Sequence, residues 1–204
     1  MFTGLIERKA KVITHLDKGS SSRLVIAADF DKLQTGESIA VNGVCLTLLP
    51  SEAGELIFDI SPETRNVTTL NHLSSGNWVN LERAMFASTR FGGHYVSGHV
   101  HTTAHINSVQ TIDEYIEMEL TGFNASAMLY LIPKGSITVD GVSLTINSAI
   151  NQNVTLMLVP HTLSQTTLGQ LKVGQRVNIE FDYLTRVVAH QLQIAGKLNC
   201  EVQP

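Results

Sequence analysis

The sequence predicts an all-β protein made of two tandem copies of one small domain. The stretch IAVNGVCLTLL at residues 39–49 returns as ITVDGVSLTIN at residues 137–147, 98 positions later. Residues 62–82 match residues 160–180 with the same offset, through shared proline, threonine, glycine and glutamate positions. An offset that is kept over separate blocks indicates an internal duplication, and a period of about 100 residues is typical of tandem domains.

A third pair of blocks extends the duplication toward the start of the sequence. GLIERKAKV at residues 4–12 lies over GHVHTTAHI at residues 98–106, with an offset of 94 instead of 98. One loop insertion of four residues accounts for that difference. The sequence therefore predicts a first domain over residues 1–93, a second over residues 94–184, and a helix with a tail over residues 185–204.

Each copy has the pattern of short antiparallel strands. SRLVIA, ESIAVN, VCLTLL, ELIFDI and WVNLE are β-branched or alternating, and glycine, asparagine or charged residues separate them. Asn42-Gly43 and Asp140-Gly141 each stand between two such runs, and these residues tolerate the positive φ that a tight hairpin turn needs. Several short strands at close spacing favour a small closed barrel or a sandwich.

Short helices interrupt this pattern. Ser61 followed by Pro62 and Glu63 is typical of a helix N-terminus, and residues 124–131 have helical composition. Residues 185–199 have no partner in the other copy and predict a helix with one apolar face. We expect that face to pack on its own barrel or on another subunit, and we favour another subunit. The face is formed by Val188, Leu192, Ala195 and Leu198.

Composition narrows the class of protein. The chain is 43% hydrophobic and 16% charged, which is ordinary for a globular protein. Its net charge of −4 disfavours nucleic-acid and anionic-membrane partners, and no apolar run approaches the roughly 18 residues that span a bilayer. There is no recognisable secretion leader, and two cysteines do not make a disulfide framework. We therefore expect a cytoplasmic protein.

The hairpin strands predict where a ligand would bind. Leucines alternate there with Cys45 and Thr47, and in the second copy with Ser143 and Thr145, so strand geometry sends the polar set to the outer face. A small barrel has no lumen for a ligand, which places any site on the outer wall. These residues could equally be ordinary solvent-facing residues. Cys45 of the first copy is replaced by Ser143 in the second, and Asn42 is replaced by Asp140. These replacements favour two related pockets with different chemical roles.

Four of the eight histidines lie within residues 92–105. His99, His101 and His105 share strand parity, but no cysteine or carboxylate stands beside them, so a zinc site is disfavoured. His99 is better suited to proton transfer or to orienting a ligand, whereas His94 is expected to be structural. Cys200 is expected to be an incidental thiol.

Seven blocks of the sequence together resemble the riboflavin synthase family, whose members carry two lumazine-binding repeats. The blocks occur in order over residues 1 to about 184 and are MFTGLIE, VNGVCLTL, ETRNVTTL, VNLERA, GGHYVSGHV, KGSITVDGVSLT and PHTLSQTTLG. The resemblance implies two six-stranded Greek-key barrels and three chains associated through the carboxy-terminal helix. It further implies no cofactor and no metal, and an association with lumazine synthase.

The resemblance also implies a reaction. Two molecules of 6,7-dimethyl-8-ribityllumazine exchange a four-carbon unit, which gives riboflavin and 5-amino-6-ribitylamino-2,4-pyrimidinedione. The family forms its site between the first barrel of one subunit and the second barrel of a neighbour. A duplicated pocket suits a reaction of two like molecules, because holding both in register removes much of the entropic barrier.

The substrate-contacting segments of the family map onto both copies. In the first copy they fall on Gly4, Leu5, Ile6, Cys45, Leu46, Thr47, Asp59, Ile60, Ser61, Pro62, Glu63 and Thr64. In the second copy they fall on Gly98, His99, Val100, Lys134, Asp140, Ser143, Leu144, Thr145, Val159, Pro160, His161, Thr162, Leu163 and Ser164. Phe2 and Ser38 also match family positions near the site.

The resemblance assigns catalytic roles less sharply. His99 is a reasonable proton carrier because imidazole titrates near neutrality. Ser143, Cys45 or a water could supply the nucleophile that adds to one lumazine, and Asp182 could orient a partner. His101 departs from the family at a position where many relatives carry aspartate.

Two other classes share parts of this pattern. Non-catalytic lumazine or flavin carriers have the same repeats but would be expected to lose the polar hairpin residues, which are present here. A flavin-binding barrel of a reductase would need a nicotinamide-binding domain, for which 204 residues leave no room.

Overall fold

The computed structural model describes residues 1–198, and Cys200 with the rest of residues 199–204 lies outside the described part. The first repeat contains β1 (Arg8–Lys18), β2 (Ser21–Ala27), β3 (Ser38–Val41), β4 (Val44–Thr47), β5 (Glu55–Ile60), α1 (Pro62–Val67), a 3₁₀ helix (Thr69–His72) and β6 (Trp78–Arg83). The second contains β7 (Thr102–Ile112), β8 (Tyr115–Thr121), a 3₁₀ helix (Ala127–Tyr130), β9 (Ser136–Val139), β10 (Val142–Ile150), β11 (Asn153–Leu158), α2 (Pro160–Gln165), a 3₁₀ helix (Thr167–Gln170) and β12 (Arg176–Phe181). The last element is α3 (Tyr183–Ile194).

Each repeat folds into one six-stranded antiparallel sheet, which confirms the predicted fold class. The second sheet is a closed barrel in the order β10-β11-β8-β7-β12-β9, whereas the first runs β4-β3-β6-β1-β2-β5 without a ladder between its end strands. A single bridge joins those ends, from the Leu49 amide to the Ile57 carbonyl at 2.9 Å. Pro50 follows, and its lack of an N–H stops the ladder. Its counterpart Ser148 pairs with Thr155, so β10 continues and the second barrel closes.

The apolar residues of the alternating strands fill two separate cores. Leu46 and Leu48 are buried in the first repeat, and Leu144 and Ile146 are buried in the second. Between them along each strand, polar residues point to the outer wall, as the alternation predicts. Each fully buried Leu or Ile stabilises the fold by about 1.5–3 kcal/mol. Side chains occupy both interiors, so a ligand must bind outside them.

The two repeats meet at their hairpin turns. Asn42 and Asp140 have φ of 45° and 44°, which confirms the predicted tight turns, and each is followed by a glycine with positive φ. The Asn80 side chain donates to the Asp140 carbonyl at 2.9 Å, and the Asn178 side chain donates to the Asn42 carbonyl at 2.9 Å. These reciprocal bonds relate the repeats by an approximate two-fold axis and are buried, so they join the repeats firmly.

Helix α3 leaves the second barrel with its apolar side uncovered. Asp182 caps the helix by accepting a hydrogen bond from the Leu184 amide at 2.7 Å. The ring of Tyr183 packs on that of Tyr95, yet Leu184 and Val188 remain 66% and 58% exposed. The predicted apolar face therefore does not pack on its own barrel. No helix within residues 1–198 has the length and hydropathy needed to cross a bilayer.

Candidate functional site

The segments before the first strand of each repeat are exchanged between the repeats. The Ser143 amide of the second repeat donates to the Gly4 carbonyl at 2.8 Å, and the Cys45 amide of the first donates to the Gly98 carbonyl at 2.8 Å. Ile6 packs against the core of the second repeat. Gly4 belongs to the same copy as Cys45, and Gly98 to the same copy as Ser143, but the structure pairs each glycine with the hairpin strand of the other repeat. Phe2 extends the exchange, since its backbone pairs with Val96.

Two buried carboxylates hold the exchanged segments in place. One oxygen of Glu82 accepts from the Thr3 amide at 2.6 Å and from the Thr3 hydroxyl at 2.7 Å, while the other accepts from the Gly4 amide at 3.0 Å. Glu180 repeats this pattern on Ser97 and Gly98 with the same three distances. Burial raises the pKa of both carboxyls, and these hydrogen bonds oppose the rise.

Glycine is required where the exchanged segments touch the hairpin strands. Gly4 and Gly98 have φ of 77° and 82°, a region that favours glycine. A Cβ on Gly4 would lie 2.6 Å from the Cβ of Ser143, and one on Gly98 would lie 2.6 Å from the Cβ of Cys45. The repeated Gly residues thus let a backbone lie directly against the strand that carries the serine or the cysteine.

The exchange produces two similar half-sites on the outer wall. The Cys45 half-site consists of residues 45–47 and 98–100, and the Ser143 half-site consists of residues 143–145 and 4–6. In the first, Thr47 and His99 are exposed beside the half-buried Cys45; in the second, Thr145 and Leu5 are exposed beside the half-buried Ser143. Leu46 and Leu144 face the cores. Exposed hydroxyls at such a wall suit a planar ligand with a hydrogen-bonding edge.

The helix-flanking segments lie at the ends of the strands that follow each hairpin. Asp59 pairs with Arg23 at 2.7 Å, and this hydrogen bond is the main reason that its pKa is lowered. Ser61 accepts from the Thr64 amide and caps α1, as predicted. No side-chain bond caps α2, which starts after the exposed Val159. Each segment also contains several exposed or half-buried residues. These are Pro62, Glu63 and Thr64 in the first repeat, and Pro160, His161, Thr162, Leu163 and Ser164 in the second.

The remaining predicted site residues lie at several different places in the fold. Ser38 pairs with Thr47 across β3 and β4 and so lies beside the Cys45 half-site. Lys134 is exposed, and its amide donates to the Ile146 carbonyl. Ile60 and Phe2 are fully buried. Asp140 is also buried, at the contact between the repeats, where it accepts from the Asn178 amide.

His94, which was expected from the sequence to be structural, lies beside Ser143 in the second half-site. Its Nδ1 lies 2.7 Å from Ser143 Oγ and its Nε2 lies 3.1 Å from Thr138 Oγ1. Burial lowers the pKa of His94, while the negative charge of Asp182 opposes that change. The signal in the sequence was the pair of glycines before His94, because a histidine after two small residues can approach a strand closely.

His101, the departure from the family pattern, directly follows residues 98–100 of the Cys45 half-site and packs on β12. Its Nδ1 accepts from the Phe181 amide at 3.1 Å, and its ring stacks on that of Phe181. Burial lowers the pKa of His101 to about 4. Within residues 1–198, no three His, Cys, Asp or Glu side chains are arranged to hold a metal ion.

One cavity in the described part of the chain lies apart from the half-sites. It has a volume of about 610 Å³ and is formed between the two repeats, with Trp78 from the first repeat and Arg176 from the second among its walls. Of the predicted site residues it includes only Asp140. The cavity therefore does not coincide with the predicted site, whose residues lie on the outer wall of the barrels.

Comparisons with known proteins agree with the two-repeat architecture. The family model described as the lumazine binding domain matches residues 3–84 and again residues 97–182. A riboflavin synthase of Bacillus subtilis (strain 168) is 41% identical over 199 residues, which cover 97% of this chain and 92% of that protein. The chain belongs to the riboflavin synthase family. The riboflavin synthase of Escherichia coli (strain K12) is 36% identical over 209 residues, covering 100% of this chain and 98% of that protein.

Solved structures share the fold of this family member. LumP complexed with riboflavin superposes with a TM-score of 0.81 at 23% identity, over 89% of this chain and 99% of that one. LumP complexed with 6,7-dimethyl-8-(1'-D-ribityl) lumazine gives a TM-score of 0.80 at 22% identity, over 88% and 98%. At this level of identity, the likeness concerns the arrangement of the two repeats.

Proposed function

We propose that the chain is a riboflavin synthase, a transferase that moves a four-carbon unit between two molecules of 6,7-dimethyl-8-ribityllumazine. The products are riboflavin and 5-amino-6-ribitylamino-2,4-pyrimidinedione. The observation that carries this proposal is the pair of half-sites, which are alike in backbone and unlike at Cys45 and Ser143. A reaction between two copies of one molecule needs two like pockets, and unlike roles for the copies need the pockets to differ.

The half-sites can contribute to this reaction mainly through position. Two ring systems held in register react as if unimolecular, which removes much of the entropic barrier. A proton must leave the methyl group on C7 of one lumazine, and we assign this transfer to His99, whose exposed imidazole supports the assignment. A nucleophile must add at C7 of the other, and Ser143, Cys45 or a water can do so. The negative charge of Asp182 acts on the His94 ring, which supports an orienting role for Asp182.

The predicted trimer belongs to the same proposal. We infer that the exposed apolar face of α3 packs on neighbouring subunits, because Leu184 and Val188 are too exposed for a helix that remains alone. The complete site then forms between the Cys45 half-site of one subunit and the Ser143 half-site of another. A cytoplasmic location and association with lumazine synthase complete the proposal and are testable by fractionation and co-purification.

The deciding experiment is turnover of the lumazine alone. Purified protein with 6,7-dimethyl-8-ribityllumazine and a chelator should yield half an equivalent of riboflavin, measured by its absorption and by chromatography. The Cys45→Ser, Ser143→Ala double variant changes both candidate nucleophiles. It should still bind the ligand but turn it over more slowly. Binding by the unmodified protein without any riboflavin would contradict the proposal and favour a carrier.

A further inference from the structure

The Ser143 half-site contains a side-chain network that the Cys45 half-site lacks. Ser143 stands opposite Thr138 across β9 and β10, and the ring of His94 bonds to both hydroxyls. In the first repeat, Cys45 stands opposite Ala40, which has no hydroxyl. Among residues 1–198, no hydrogen bond joins the Cys45 thiol to an imidazole. The two half-sites therefore differ in more than the identity of one small residue.

The chain brings His94 to Ser143 by a close backbone approach. The His94 amide donates to the Thr3 carbonyl at 3.2 Å. A Cβ on Gly93 would lie 2.0 Å from that carbonyl oxygen and 3.0 Å from the Cβ of Ser143, so only glycine fits before the histidine. The same Thr3 is held by Glu82. The position of the ring thus depends on the exchanged amino-terminal segment.

Burial determines what the ring can do. His94 is 8% exposed and Thr138 is 1% exposed, so water does not compete strongly for their polar atoms. Burial lowers the pKa of His94 and favours the neutral ring near pH 7. A neutral imidazole has one donor and one acceptor nitrogen. In either tautomer, the ring therefore donates a hydrogen bond to one of the two hydroxyls and accepts one from the other.

We propose that His94 is a positioning residue that fixes the direction of the Ser143 hydroxyl toward a ligand, and thereby makes the Ser143 half-site chemically distinct from the Cys45 half-site. This inference rests on the proposed function, because it explains how two identical substrate molecules can take different roles in the reaction. The Cys45 thiol, with Ala40 opposite, receives no such orientation.

The test combines single and double variants in the full-length chain. His94→Ala, His94→Asn and Ser143→Ala are compared with the His94→Ala, Ser143→Ala double variant and with the exposed His105→Asn as matched control. For each we would measure kcat and KM for the lumazine, the pH profile of kcat, the thermal unfolding midpoint, and riboflavin binding by fluorescence quenching. Riboflavin binding reports the half-sites even if no turnover is detected.

We expect His94→Ala to lower kcat about 100-fold with KM changed less than about threefold, because misplacing a reacting group affects turnover more than binding. Asn should restore part of kcat, since its amide can occupy the place of Nδ1. The acid limb of the kcat profile should change in His94→Ala. The double variant should be no slower than Ser143→Ala, since the histidine acts through the serine.

Three outcomes would overturn the inference. The first is multiplication of the two kcat losses in the double variant. The second is a kcat loss that follows a lowered unfolding midpoint, with Asn giving no recovery. The third is equal weakening of riboflavin binding at both half-sites. If the unmodified protein makes no riboflavin, the proposed function fails, and the inference is then judged by whether His94→Ala weakens binding at only one half-site.

Discussion

Gly43 and Gly141 stand backbone to backbone where the two repeats meet. A Cβ on Gly43 would lie 2.7 Å from the Gly141 nitrogen, and a Cβ on Gly141 would lie 2.8 Å from the Gly43 nitrogen. Both have positive φ, of 79° and 83°. The tight hairpin turns that the sequence predicts within each repeat are therefore also the surface by which one repeat recognises the other.

Alanine at this contact should destabilise the protein more than alanine at an ordinary turn. Gly43→Ala adds both unfavourable φ, worth about 1–2 kcal/mol, and a backbone clash. Gly54 has φ of 84° with nothing within 4 Å of an added Cβ, so Gly54→Ala carries the conformational cost alone. Urea unfolding should show a clearly larger loss for Gly43→Ala. Equal losses in the free energy of unfolding would mean that the two turns can move apart to accept the added Cβ without destabilising the protein.

Asp140 should make stability depend on pH. Burial raises the pKa of Asp140 from 3.8 to about 7. The folded state therefore keeps a proton that the unfolded chain loses above about pH 4, so this group's contribution to stability declines as pH rises from about 4 to about 7. Asp140→Asn keeps an acceptor for the Asn178 amide, as Asn42 does for Asn80, and removes the decline.

The free energy of unfolding should accordingly rise in Asp140→Asn at pH 8 and stay unchanged at pH 4. The shift from 3.8 to about 7 corresponds to an upper bound of roughly 4 kcal/mol. Glu82 and Glu180 have raised pKa values in both proteins, so their effect cancels in the comparison. A variant that unfolds like the unmodified protein at both pH values would rule out a buried charge at Asp140.

Glu82→Gln and Glu180→Gln should be equal in stability and different in function. Each replaces an acceptor oxygen by an NH₂ group that faces the Gly4 or Gly98 amide, at a cost of about 1–3 kcal/mol. Because Glu82 holds the segment beside Ser143 and Glu180 holds the segment beside Cys45, each should perturb one half-site. Unfolding and riboflavin titration would be measured together; identical binding curves would contradict the exchange of segments.

A charge on the apolar face of α3 should separate the subunits. Val188→Asp places a carboxylate on a side chain that is 58% exposed in the single chain, and burying it against another subunit would be costly. His190→Asp adds the same group on the opposite side of the helix and is the matched control. Analytical ultracentrifugation should show dissociation for Val188→Asp only. Unchanged assembly in both variants would remove α3 from the subunit contact.

His99→Ala and Ser143→Ala should slow turnover more than they weaken binding. His99 is exposed in the Cys45 half-site, and Ser143 is half-buried in the other. A proton carrier or an adding nucleophile acts chiefly in the transition state, so its loss lowers kcat by about 100-fold or more. Steady-state kinetics with the lumazine would give kcat and KM separately. A rise in KM at constant kcat would assign both residues to binding alone.

The sequence predicted the fold through local patterns and missed the pairing of distant segments. The repeat, the alternation around Leu46 and Leu144 and the two tight turns depend on neighbouring residues, and the structure has them as predicted. The partners of Gly4 and Gly98 depend on where a chain segment crosses to another domain. An internal alignment cannot reveal that crossing, because it superposes equivalent residues of the two copies whether or not they touch.

The network at His94 was missed for a related reason. The internal comparison directed attention to positions that differ between the copies, and Thr138 in place of Ala40 is such a difference. Its importance appears only in the structure, where the His94 ring bonds to both Thr138 and Ser143. The incomplete ladder of the first sheet could have been anticipated from Pro50, whose missing N–H is a local property.

The crossing of residues 1–6 means that the unit of ancestry and the unit of folding are not the same stretch of chain. A cut between residues 93 and 94 would leave each half without the peptide that covers its own hairpin strand, with the complementary peptide still attached to the other half. Fragments made in this way should reassociate when mixed, and neither should be expected to stay monomeric alone. We therefore expect each of the duplicated halves to lose stability when it is separated from the other.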